Sequence, residues 1–194
     1  MTDSTITRRN ALVTTLSAAL IANASQALAQ TGGSELDAAL EQHRHDFEWL
    51  IGRWNVQHHR LKSRLTGSTE WEDFRGTSEL WLTLNGYGTI DDNWIDIPSG
   101  AYRAMGIRAF NPETRQWSIW WLDERSQTID PPVRGSFVNG AGEFTGDDVL
   151  RGQPIKVRFR WTDIYSPTPH WEQAFSPDGG ATWEVNWWME FSRA

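Results

Sequence analysis

Leu36, Leu40, His43, Phe47, Leu50 and Ile51, apolar but for the histidine, recur at the three-to-four spacing of one helical face. Ser34 is placed to cap the start of this helix and Gly52 to end it. Beyond Gly52 the period changes to two. Alternating runs are separated by turn chemistry such as Leu65-Thr66-Gly67-Ser68, Ile97-Pro98-Ser99-Gly100, Asn111-Pro112-Glu113, Asn139-Gly140 and Asp178-Gly179-Gly180. About ten strands at roughly 8–12-residue spacing predict an all-β chain, an antiparallel barrel or sandwich behind a short N-terminal helix.

Alternation also assigns faces. In Ile155 to Trp161 the apolar row Ile155, Val157, Phe159 and Trp161 is expected inside, with Lys156, Arg158 and Arg160 outside. In the hairpin Trp171 to Phe191, the row Trp171, Gln173 and Phe175 is expected to face Trp183, Val185 and Trp187. Its outer glutamates Glu172, Glu184 and Glu190 are placed to pair with Arg158 and Arg160. If Trp54 points inward, so do Val56, His58 and Arg60, which leaves His59 on the surface. The same phase argument puts Glu72 with Phe74, Ser78 and Leu80, Arg103 with Met105 and Ile107, and Asp123 with Trp117, Ile119 and Trp121.

The thirty residues ahead of this pattern read as an address. Arg8-Arg9 precede the apolar stretch Ala11 to Ala22, and Ala27-Leu28-Ala29 offers the small-x-small pattern of a signal peptidase site. The expectation is a twin-arginine signal over residues 1–29, a linker over 30–33 and one barrel domain over 34–194, delivered to the periplasm or secreted. The apolar stretch is broken by Thr14, Thr15, Ser17 and Asn23, so no stable membrane insertion is expected after cleavage.

Composition narrows the chemistry further. The 194 residues contain no cysteine, which removes disulfides, thiolate metal sites and cysteine nucleophiles together. A formal charge of −7 without a basic run gives a nucleic-acid partner no electrostatic support. Thirteen tryptophans serve either as barrel filling or as the wall of a pocket for a flat, apolar ligand. Neighbours such as Trp120-Trp121 and Trp187-Trp188 must face opposite ways, so some rings are expected outside, where a homodimer contact is one use for them.

The segment Phe47-Glu48-Trp49-Leu50-Ile51-Gly52-Arg53-Trp54 sets Gly-x-Trp on the first strand behind a helix, and the chain finishes Phe191-Ser192-Arg193. This resembles the lipocalin and calycin pattern, in which a tryptophan plugs the closed end of the barrel beneath a late arginine. The resemblance implies those parts for Trp54 and Arg193. Further blocks, including Gly67 to Phe74, Val157-Arg158-Phe159-Arg160-Trp161 and Trp171 to Glu184, are similar to a bacterial lipocalin-like family filed as a domain of unknown function. That likeness spans about residues 44 to 193. It implies an up-and-down barrel and no particular activity.

His58, Arg60, Glu72, Phe74, Arg103, Trp121, Asp123, Trp161, Trp171, Gln173 and Trp187 are the candidate ligand-binding residues, facing a small apolar or aromatic molecule. Two alternatives stay open. One is a barrel enzyme of isomerase, cyclase or hydrolase type, with His58, Glu72 or Asp123 as acid and base. The other is a haem-binding barrel with His58 as axial ligand. No Gly-x-Ser-x-Gly elbow, phosphate loop, dinucleotide fingerprint or His-Glu-x-x-His motif occurs. No metal and no resident cofactor are expected.

Overall fold

In the computed structural model, which describes residues 32–194, an alternating two-residue period is resolved into ten antiparallel strands. The expected signal over 1–29 and the start of the linker lie outside the described residues. The chain divides between Ala39 and Leu40 into two units. Residues 32–43 are helical, and Ser34 lies within this helix. A chain of turns follows, with Asp46 N–H on the carbonyl of His43 and Glu48 N–H on that of His45, and a single 3-10 turn spans Glu48–Leu50. The expected helical face therefore breaks after His43. Gly52, at φ +101°, redirects the chain into the first strand.

The strands are β1 (Gly52–Leu61), β2 (Trp71–Thr83), β3 (Gly88–Asp96), β4 (Tyr102–Asn111), β5 (Gln116–Asp123), β6 (Val133–Val138), β7 (Ala141–Leu150), β8 (Gln153–Thr162), β9 (His170–Ser176) and β10 (Glu184–Arg193). Each pairs with its sequence neighbours, and β1 pairs with β10, which closes the sheet into an up-and-down barrel. Closure leaves no strand at the edge of the sheet, although β5 and β6 pair over three residues only. The ten-stranded antiparallel barrel is consistent with a lipocalin-like fold.

Facing residues largely follow alternation. On β8, Ile155, Val157 and Trp161 are buried. Of the three expected glutamates, Glu172 meets both arginines, Arg158 at 3.4 Å and Arg160 at 3.8 Å, whereas Arg160 also reaches Glu143 at 3.4 Å and Glu184 accepts from the backbone N–H of Leu65 instead.

Two rows differ from the expectation. On β4 the inward residues are Tyr102, Ala104, Gly106, Arg108 and Phe110, so Arg103, Met105 and Ile107 face outward. Arg103 meets Asp92 on the outer surface. The cause is an apolar outer face. Trp81, Ile90, Ile107 and Trp120 lie in register across β2, β3, β4 and β5, so hydrophobicity does not mark the inside there.

On β10 a bulge at Asn186 separates Val185, which pairs with Ala174, from Trp187, which pairs with Gln173. Since Ala174 pairs with the outward Arg158, Val185 is outward too, and Trp183 packs under Arg158 at 4.7 Å. One inserted residue reverses the phase. Of the expected inner row Trp183, Val185 and Trp187, only Trp187 faces the lumen.

Candidate functional site

A cavity of about 360 Å³ occupies the barrel interior. Its lower end is shut by the segment before β1. Trp54 donates its indole N–H to the carbonyl of Leu50 at 2.7 Å, and the Arg193 guanidinium lies 3.8 Å from the centre of the indole ring. Arg193 also donates to the carbonyls of Ile51 at 2.5 Å and Trp49 at 2.8 Å. Beside them Phe47 meets Trp117 and Phe137 edge-on, and Asp46 accepts from the Trp117 indole at 2.9 Å. Register brings Trp54 opposite Arg193, so the closure contact follows from strand pairing itself.

Above this floor lies a buried ion pair that the sequence reading did not single out. Arg108 reaches Asp91 at 2.5 Å, and both side chains are more than nine-tenths buried. Asp91 also accepts from the Gly106 backbone N–H at 2.7 Å and from Asn93. Gly106 is required by this arrangement, because a Cβ there would stand 2.7 Å from the carboxylate. The legible signal was the row Tyr102, Ala104, Gly106, in which small residues leave room for a neighbour's side chain.

The middle of the lumen is aromatic. Trp121, Phe159, Trp161, Trp171, Phe175 and Trp187 line it, with Trp171 packed edge-on against Trp187 at 5.9 Å. Gln173 also lines it and donates to the bulge residue Asn186 at 2.8 Å.

His58 lines the cavity between these rings and Phe74, on which it stacks at 4.7 Å. Trp187 donates its indole N–H to Nδ1 of His58 at 3.2 Å. Because an indole nitrogen can only donate, Nδ1 must accept, and the neutral ring carries its proton on Nε2. Burial first, and the nearby Arg60 charge second, push the His58 pKa down to about 3.

At the upper end Arg60 lines the cavity and pairs with Glu72 at 2.9 Å. Asp123 accepts from the side chain of Arg125 at 2.7 Å and from its backbone N–H at 2.9 Å. Burial alone would raise the Asp123 carboxyl, but the hydrogen bonds and charge of Arg125 hold it below the usual aspartate range. The guanidinium of Arg125 in turn sits 3.5 Å from the centre of the Tyr102 ring.

Most of the candidate binding residues are thus brought to one lumen: His58, Arg60, Trp121, Asp123, Trp161, Trp171, Gln173 and Trp187. Phe74 and Glu72 stand behind the wall, one supporting His58 and the other holding Arg60. Arg103 is on the other side of the sheet.

The three candidate acid–base groups are each engaged by a different partner. Among the described residues His58 is hydrogen-bonded to Trp187, Glu72 to Arg60 and Asp123 to Arg125, and none of the three to another. A neutral histidine with a pKa near 3 is a weak base at neutral pH. It also fits an axial haem ligand poorly, since one ring nitrogen accepts from an indole and the other carries the proton. Among the described residues no three histidine or acidic side chains come together as a metal-holding group.

Compared with known proteins, the chain matches no family model, and no curated protein is significantly similar to it.

Proposed function

We propose that this chain is an exported lipocalin-like protein that binds a small apolar or aromatic molecule inside its barrel. The observation that carries the reading is the cavity of about 360 Å³, walled by four tryptophans and three phenylalanines. That volume falls in the lower part of the range of ligand pockets, roughly 300–1,000 Å³, and the combination of an aromatic wall with a few fixed polar groups is typical of them. A rigid indole wall offers large contact area at little entropic cost to the protein. Export is supported by Arg8-Arg9 ahead of an apolar stretch and by Ala27-Leu28-Ala29, and it places the binding activity in the periplasm or outside the cell.

The test is a titration of the mature chain with a panel of small aromatic and aliphatic molecules, read by intrinsic fluorescence. With Trp121, Trp161, Trp171 and Trp187 all on the cavity wall, occupancy is expected to shift or quench the emission saturably. A panel that leaves the emission unchanged counts against the reading.

A further inference from the structure

Arg64, in the connection between β1 and β2, contributes to the cavity lining at the upper end. It is half-buried, its guanidinium lies 5.8 Å from the centre of the Phe175 ring, and among the described residues no acidic side chain pairs with it. The segment carrying it is anchored. The backbone carbonyl of Arg64 accepts from Arg151 at 3.0 Å, and the next N–H, that of Leu65, donates to Glu184 at 2.7 Å. The backbone that carries the guanidinium is therefore held to the barrel by one contact from the turn between β7 and β8 and one from the start of β10.

A second guanidinium lines the same cavity. Arg60 spends one terminal nitrogen on Glu72, and its Nε is buried without any acceptor. Both cations lie beside aromatic rings of the lumen, Arg60 5.4 Å from Trp187 and Arg64 5.8 Å from Phe175. A partly desolvated cation without a counter-charge is costly, and an anion that reaches it recovers that cost. Burial and the neighbouring Arg60 charge push the Arg64 guanidinium below its ordinary range, which accords with a cation short of a partner.

Four aspartates, Asp123, Asp130, Asp147 and Asp148, also line the cavity. Asp123 and Asp147 are matched by Arg125 and Lys156. Asp130 and Asp148 have no cationic partner among the described residues, and burial together with Asp148 and Asp123 raises the Asp130 carboxyl. Among the described arginines of the lining, Arg60, Arg108 and Arg125 each have an acidic partner and Arg64 has none, so an anionic group is drawn to Arg64.

We propose that the bound molecule is an amphipathic anion, its apolar or aromatic body among the lumen tryptophans and its carboxylate or sulfonate on Arg64, with the Arg60 guanidinium as the neighbouring positive charge. This rests on the binding reading above and names the class of ligand. Arg64 is then a specificity-determining residue.

Two dyes sharing one aromatic body separate the two ideas. 1-Anilinonaphthalene-8-sulfonate carries a sulfonate, and N-phenyl-1-naphthylamine is the same body without it. The mature chain is expected to bind both in a saturable way and the sulfonate more tightly at low salt. Arg64→Met, which keeps the stem but loses the charge, is expected to weaken the sulfonate dye roughly tenfold and leave the neutral dye within twofold. Arg64→Lys is expected to restore part of the difference, and circular dichroism checks that each variant is folded. Equal weakening of both dyes by Arg64→Met, or weakening of neither, overturns the anionic assignment while leaving apolar binding in place. If neither dye binds the parent chain, the binding reading falls and this inference with it.

Discussion

The indole of Trp187 and the imidazole of His58 are joined by a hydrogen bond of 3.2 Å in which the histidine accepts. Register places Trp187 opposite Arg60 and His58 opposite Met189, so the two rings approach diagonally across the β1–β10 seam that closes the barrel. The closure seam and the lumen wall therefore share a polar contact that exists only while His58 is neutral.

This gives stability a definite pH dependence. In the folded chain the His58 pKa is held near 3, against an ordinary value near 6.5, so between these values the unfolded chain binds a proton that the folded chain refuses. Stability from this group is full above about pH 6.5 and is lost as pH falls towards 3, by an amount on the order of a few kcal/mol. His58→Gln, which cannot ionise and can still accept from Trp187, is expected to be less stable than the parent at pH 7 and to lose less on acidification. Thermal melts of both proteins at pH 7 and pH 4.5 check this. Equal losses for the two would assign the acid sensitivity to other groups.

Gly106 offers a separate check on the lower end of the lumen. Its φ is not in the left-handed region, so alanine is allowed by the backbone and the penalty is steric alone. A Cβ would stand 2.7 Å from an Asp91 carboxylate that Arg108 and the Gly106 N–H hold in place. Gly106→Ala is expected to cost roughly 2–3 kcal/mol, a fall in Tm of about 5–10 °C. A melting temperature unchanged within a degree would mean that the Asp91–Arg108 pair is free to move aside.

The strand pattern made the barrel legible, and it did so best where one face is wet. The β8 row could be assigned because Lys156, Arg158 and Arg160 mark the outside unambiguously. On β4 the same reasoning failed at Arg103, since Met105 and Ile107 are as apolar as any core residue yet face outward beside Trp120. The phase change at Asn186 was hidden because a bulge has no composition of its own. The charged pair Asp91–Arg108 was hidden because it joins strands at a register that only pairing reveals. Arg64 was invisible for another reason: it sits in a connection, and nothing in its neighbours announces that the chain folds it over the lumen.

Export makes its own expectation. Arg8→Lys together with Arg9→Lys preserves charge but removes the paired guanidiniums of a twin-arginine signal. Fractionation of cells is expected to find the parent chain shortened and outside the cytoplasm, and the double variant full-length within it. Equal export of the two would remove the twin-arginine assignment.

The central claim is that the lumen itself is the binding site, and equilibrium binding of N-phenyl-1-naphthylamine to the parent chain and to Val157→Phe tests it most directly. Val157 is buried and faces the cavity, so phenylalanine there occupies the volume a ligand would need. The parent is expected to bind one dye per chain with quenching of tryptophan emission, and the folded variant to lose at least tenfold in affinity. Undiminished binding by the variant would place the dye on the outside of the barrel and contradict the claim, as would the absence of saturable binding to the parent.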